Sequence, residues 1–291
     1  MEATMSPVPN GPSHHSRARH LARIPLVIVL LTALVVTSYF VATRPRSRTV
    51  TTTTQPAAQY SMGVPNATEP SGYGPLRALA LPGYARSYVE DFVGSAVPTG
   101  WDVFTGVPGG DPGGHFGAAH VSVAHGVLTL TTFKDPAFKG AWVTGGVCSC
   151  GYPQLYGAFF VRSRVTGAGP NEAQLLWPES NTWPPEIDFN ESPSLKLTSA
   201  TVHWSSQNRI QQWFLHVNLL AWHTWGVIWT PTKIILTLDG HIWGETLDSY
   251  KIPRVPMRLD LEQRTKCSQN VECPTRPTSM VVDWVEEFRP A

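Results

Sequence analysis

The residues best equipped for chemistry lie close together in Trp183-Pro184-Pro185-Glu186-Ile187-Asp188-Phe189-Asn190-Glu191. Glu186, Asp188 and Glu191 put three carboxylates in six residues, beside a tryptophan. On a β-strand, residues two apart share a face. Glu186 and Asp188 therefore point the same way, roughly 6–7 Å apart at their origins. Strict alternation turns Glu191 to the other side. One extra residue at Phe189 or Asn190, a β-bulge, rotates it back. The outer glutamates then stand roughly 13 Å apart at the backbone. Leaning toward each other, their carboxylates approach the ~5–5.5 Å separation that retaining glycosidases use. Ile187 and Phe189 alternate with the acids, as a half-buried strand requires. Trp183 and Trp177 supply flat apolar faces suited to a sugar ring. A structural acidic strand with core tryptophans is the alternative.

A pair of acids works only on a rigid support, and the composition says which kind. The chain has 291 residues, net charge +1, 15% charged residues, 11 Trp, 24 Gly and 26 Pro. Near-neutral charge gives no reason to expect a nucleic-acid partner. Abundant Gly and Pro fit a turn-dense all-β protein. Alternating strands are expected at Val127–Thr131, Phe160–Val165, Trp225–Trp229, Lys233–Leu238 and Met280–Phe288. Asp239-Gly240 marks a tight hairpin before Ile242-Trp243. No stretch of this region carries a sustained helical period. The expected fold is one antiparallel β-sandwich over residues 85–291.

The N-terminal third differs. Residues 1–23 form a basic tail with Arg17, Arg19 and Arg23. Residues 24–43 are an uncharged apolar run, about 30 Å long as a helix, and are expected to be an uncleaved signal anchor. A cleaved signal peptide is the rival, and Phe40 before Ala42 fits its cleavage rule poorly. Residues 44–84 read as a Thr/Pro-rich linker without apolar period. The expected location is the cell membrane, single-pass, with the C-terminal domain extracellular, or secreted if the anchor is cleaved. An exported domain favours disulfides. Cys267–Cys273 is the preferred pair. Cys148 and Cys150, two apart on a strand, point the same way and pair directly only with strain, and a crossed pairing with Cys267 and Cys273 stays open.

The acidic stretch resembles the laminarinase-like members of glycoside hydrolase family 16. Glu186-Ile187-Asp188-Phe189-Asn190-Glu191 is similar to that family's bulged signature. Tyr156 to Arg164, Thr201-Val202-His203-Trp204, His223 to Gly240 and Val282-Asp283-Trp284-Val285 resemble its other blocks in order. Pro184-Pro185 departs from the pattern, replacing the usual Gly. The resemblance implies a concanavalin A-like jelly roll and endo-hydrolysis of β-glucans or related galactans. The expected substrate is a β-glucan with β-1,3 or mixed β-1,3/1,4 linkages, and the expected state is a monomer. It implies Glu186 as nucleophile, Asp188 as assisting acid and Glu191 as general acid/base. Burial and neighbouring negative charge are expected to raise the pKa of Glu191. His203 is expected to orient Asp188, and Trp183 and Trp177 to bind substrate. No cofactor is implied for catalysis. A structural calcium ion is implied near Asp91, Gly94 and Asp283. A transglycosylase and a non-catalytic lectin on the same fold are the alternatives. Asn190-Glu191-Ser192 and Asn66-Ala67-Thr68 match glycosylation sequons. Asn190 is expected to be unmodified if Glu191 is catalytic.

Overall fold

A computed structural model describes residues 57–79, 81–267 and 273–291. The basic tail, the proposed anchor and linker residues 44–56 lie outside them. Among the described residues no helix is long and apolar enough to cross a membrane. The helical elements described are short 3-10 turns at Ala118–His120, Pro136–Phe138 and Ser249–Lys251.

Two antiparallel sheets face each other, as the all-β reading requires. The first runs, in spatial order, Ile210–His216, Leu197–His203, Glu186–Ser194, Asn171–Pro178, Met257–Arg264, Gly146–Cys148, Asp102–Val103. The second runs His241–Thr246, Ile234–Leu238, His223–Trp229, Gly157–Val165, Thr278–Pro290, Val127–Asp135, Val121–Ala124. Tyr84–Glu90 and Ala141–Val143 pair at its margin. The strands expected from alternation fall inside these elements, except that the one expected from Lys233 begins at Ile234. Ile187, Phe189, Leu176, Leu259 and Val202 from the first sheet pack with Phe159, Val161, Trp225, Val227 and Leu236 from the second. Apolar side chains at every second position close this core and leave the alternate set on the outer faces.

The hairpin at Asp239-Gly240 forms as expected, with φ of 48° and 79°. Two successive positive φ values match the twist of the flanking strands. Gly240 is required twice over, because a Cβ there would meet the Tyr60 carbonyl oxygen at 1.8 Å.

That contact belongs to a segment expected to be linker. From residue 57 onward the chain lies against the outer face of the second sheet. Gln59 and Tyr60 donate their N–H groups to Gly240 O, each at 2.9 Å. Val64–Pro65 and Tyr73–Gly74 form a small ribbon. Leu76 is buried against Ala158, Phe160, Ile228, Ile235, Trp284 and Phe288. The domain therefore begins earlier than residue 85. Periodicity missed this strap because single anchors such as Leu76, together with backbone hydrogen bonds, attach it.

Both disulfides are local: Cys267–Cys273 as preferred, and Cys148–Cys150. The objection to the second pair assumed a continuous strand. The strand ends at Cys148, and Cys150 lies in the turn that follows.

Candidate active site

The acidic strand Glu186–Ser194 lies inside the first sheet, between Leu197–His203 and Asn171–Pro178. Asp188 pairs with Thr201, and the next pair is Glu191 with Ser199. On the other side Leu175 pairs with Asp188 and Gln174 with Asn190. Phe189 is thus the extra residue of a bulge, which turns Glu191 onto the face of Glu186 and Asp188. All three acids line one cleft of about 710 Å³, with Trp177, Trp183 and His203. Ile187 and Phe189 point into the core, fully buried. Asn190 is also fully buried; it donates to Glu172 Oε1 at 2.9 Å and accepts from Thr198 Oγ1. That side chain has no room for a glycan.

The two ends of the motif have different surroundings. Trp183 Nε1 donates to Glu186 Oε2 at 2.7 Å, which also fixes the half-exposed indole at the cleft wall. His203 Nε2 lies 3.3 Å from Asp188 Oδ2 and 3.9 Å from Glu186 Oε2. Its Nδ1 donates to Asn208 Oδ1 at 2.6 Å. With an acceptor on each side, both ring nitrogens can hold protons. Burial opposes the charge on His203, but the bonds to Asp188 and Asn208 outweigh it and push the pKa up to about 9. Burial, reinforced by Asp188, pushes Glu186 up to about 8. Burial also raises Asp188, against the pull of His203.

Glu191 behaves otherwise. Lys266 Nζ donates to its Oε1 at 2.8 Å, and Arg264 Nη2 lies 3.3 Å from the same oxygen. Burial pushes this carboxyl up, yet the two cations outweigh burial and hold it below the ordinary glutamate value. The expectation of a raised Glu191 is therefore reversed. Neighbouring acids in the motif raise the pKa of Glu191 less than the cations Arg264 and Lys266, from elsewhere in the chain, lower it. A signal was present: Arg258, Asp260, Glu262 and Arg264 recur at every second residue of one strand, so all four side chains line the cleft.

The expected metal ligands lie apart from this cleft. Asp91 Oδ1 and Asp283 Oδ1 are buried without a hydrogen-bond partner. Asp283 Oδ2 accepts from the strap residue Ser71 N at 3.2 Å. Burial, with Glu69 and Glu90, pushes Asp91 up to about 6. Oxygen donors short of positive charge suit a hard cation. The side chains of Asp91 and Asp283 suit that role; Gly94 is exposed in the bend beyond.

Residues 114–286 match the family Glycosyl hydrolases family 16. The chain belongs to this family. The endo-1,3-1,4-beta-glycanases ExsH and EglC of Rhizobium meliloti are similar, at 30% identity over 131 residues and 33% over 135. Each alignment covers 40% of this chain and 28% of the relative, so the chain spans little more than a quarter of their length. The laminarinase of Rhodothermus marinus matches 72% of the chain and 99% of its own, with TM-score 0.64 and 19% identity. The endo-beta-1,3-glucanase of Pyrococcus furiosus matches 72% and 95%, with TM-score 0.62 and 18% identity. These likenesses show the family 16 fold. The bulged acidic strand lies inside the first sheet.

Proposed function

We propose that this chain is a retaining endo-glycosidase acting on β-1,3 or mixed β-1,3/1,4-glucan. One observation carries the reading: the bulge at Phe189 sets Glu186, Asp188 and Glu191 side by side in a single cleft. Trp183, half-exposed at the cleft wall, is the sugar platform. Trp177 lines the same wall and serves the next ring.

Glu186 attacks the anomeric carbon as the glycosidic C–O bond breaks, and the departing oxygen takes a proton from Glu191. The product is a glycosyl ester on Glu186. Water then adds to the anomeric carbon, gives its proton to Glu191, and releases Glu186 as carboxylate. Asp188, held by His203, keeps Glu186 oriented and shares in the proton's placement. In the free cleft below pH 8, burial and Asp188 favour the proton on Glu186, while Arg264 and Lys266 favour the charge on Glu191. The reaction needs the reverse, so one proton must change carboxylates when substrate binds.

Asp91 and Asp283 hold a structural calcium ion in this reading, supported by their two partnerless oxygens. Its part is to neutralise buried charge behind the cleft. Two disulfides suit an oxidising compartment. They support placing the domain outside the cell, tethered through residues 24–43. Retention of the full-length chain in carbonate-washed membranes tests that placement, and release into the wash counts against it.

The full chain, incubated with laminarin, lichenan, agarose and carrageenan, should release reducing ends from at least one glucan. Silence on the whole panel sinks the hydrolase reading. Products longer than the substrate would assign the second half-reaction to a sugar acceptor instead of water. Azide distinguishes the two roles. With Glu191→Ala it should yield a glycosyl azide of retained configuration, and with Glu186→Ala one of inverted configuration.

A further inference from the structure

The cation on Glu191 is the feature that the mechanism leaves unused. Lys266 follows the strand Met257–Arg264 and is held at three points. Its backbone N–H donates to Asp111 Oδ2 at 3.1 Å. The hydroxyl of Thr265 donates to the same oxygen, also at 3.1 Å. The next residue, Cys267, is tied to Cys273. Asp111 and Thr265 are both buried. Lys266 itself has φ 44°, in the left-handed region that residues other than glycine seldom occupy. A lysine on a slack loop would sweep through solvent; this backbone is bracketed so that Nζ meets Glu191 at 2.8 Å.

Among the other charges facing Glu191, Arg264 shares the task of holding it ionised. Asp188 and Glu186, on its own strand, repel it. His203 reaches in from the strand Leu197–His203, but its ring contacts Asp188 and Asn208. Ala173, opposite on Asn171–Pro178, is uncharged. From Met257–Arg264, Arg264 divides between Glu191 at 3.3 Å and Glu262 at 3.4 Å. Lys266 is the cation in shortest contact with Glu191.

We propose that Lys266 is a positioning residue for the acid–base step: it holds Glu191 as a carboxylate in the free protein, and a glycan entering that end of the cleft draws the ammonium away so that Glu191 takes up the proton it must donate. The inference rests on the reading of Glu191 as acid/base. The proton balance is internal. A proton leaves Glu186 and one arrives at Glu191, so the nucleophile becomes ionised, the acid becomes protonated, and the pair keeps the same net charge. Substrate binding thereby arms both groups at once, and the free site holds neither in its reactive form.

The test compares pH profiles of kcat/KM and kcat for wild type, Lys266→Met and Lys266→Arg on the best glucan of the panel. The first reports the free enzyme, the second the complex. In wild type Glu191, held as carboxylate, should set the acidic limb of kcat/KM, and Glu186 the basic limb. Lys266→Met should raise the acidic limb of kcat/KM, which Glu191 sets while Glu186 holds the shared proton, by about one pH unit or more. Lys266→Arg should keep the wild-type profile. Asp111→Asn, which loosens the bracket and leaves the lysine, should move the acidic limb the same way by less. An acidic kcat/KM limb that stays put in Lys266→Met overturns the proposal. A readout free of turnover is the titration of side-chain carboxyls by carbon-13 NMR, with Glu191 assigned by its loss in Glu191→Gln. Its midpoint should rise from wild type to Lys266→Met, and an unmoved midpoint overturns the proposal even in an active enzyme. A shifted midpoint in a protein that cleaves nothing upholds the hold of Lys266 on Glu191 and sinks the hydrolase reading instead.

Discussion

Buried acids occur on both sheets, and their partners differ. In the cleft, Glu186, Asp188 and Glu191 meet side-chain donors: the Trp183 indole, the His203 ring, and the tips of Lys266 and Arg264. On the second sheet, Glu286 accepts from the strap backbone at Leu76 N, 2.7 Å away, and from Arg86 Nε. Glu287 accepts from Ser149 Oγ at 3.0 Å, and its other oxygen has no partner. Burial raises Glu286 to about 7 and Glu287 to about 8, close to Glu186. A raised carboxyl pKa alone therefore does not mark a catalytic acid in this molecule. The cleft acids are distinguished by partners that a ligand can displace and by open space in front of them.

The largest effect that this contrast predicts is on turnover. Glu186→Gln and Glu191→Gln should each lower kcat by about a thousand-fold, in the range that acid–base and nucleophilic groups supply. Glu286→Gln should leave kcat within about twofold, since nothing joins it to the cleft. A comparable collapse in Glu286→Gln would break the distinction. Next in size is the strap. Leu76→Ala empties a site walled by Phe160, Trp284 and Phe288 and should cost about 3 kcal/mol in chemical unfolding, with kcat unchanged in what remains folded. Loss of less than about 1 kcal/mol would mean that the strap lies on the sheet without bracing it.

The two regions were unequally legible in the sequence. Ile187 and Phe189 alternating with acids gave the motif strand, and the bulge followed from asking what brings Glu191 back to the others. Local arithmetic sufficed there because the strand's period is 2 and the exception is one residue. Lys266 is distant from Glu191 in sequence and meets it only because Met257–Arg264 lies two strands away in the sheet. Strand order is a long-range property: the alternation from Arg258 to Arg264 marks a charged face, and only the fold sets that face beside Glu191. The strap was missed for a related reason. Its anchoring uses Gly240, Glu286 and Thr224, residues far along the chain, and its own composition looks like that of a linker.

A smaller effect is expected where strap and second sheet meet. If Asp91 and Asp283 hold calcium, removing divalent ions should lower Tm by several degrees, about 5 °C, and added calcium should restore it. Asp91→Asn should lower Tm in calcium and abolish the response to chelator. A wild-type Tm indifferent to both chelator and calcium would instead leave two buried carboxyl oxygens to be satisfied by protonation, as the raised Asp91 suggests.

The smallest predicted effect separates fixed acids from displaceable ones by pH. Glu287 titrates near the ordinary glutamate value when unfolded and near 8 when folded. Below the unfolded value both states hold the proton, and its full contribution to stability is present. Between the two values the unfolded chain ionises while the folded one keeps its proton, so stability falls as pH rises. Above 8 both are ionised and the loss is complete. Glu286, Glu172 and Glu186, raised to about 7, 7 and 8, add slopes of the same sign. Wild-type Tm should therefore decline from pH 5 to pH 8. Glu287→Gln stays neutral and keeps the bond from Ser149, so its curve should be shallower by about 3 °C over that interval. Curves that run parallel would mean that Glu287 is ionised inside the fold, and the second sheet would then hold a charge as the cleft does.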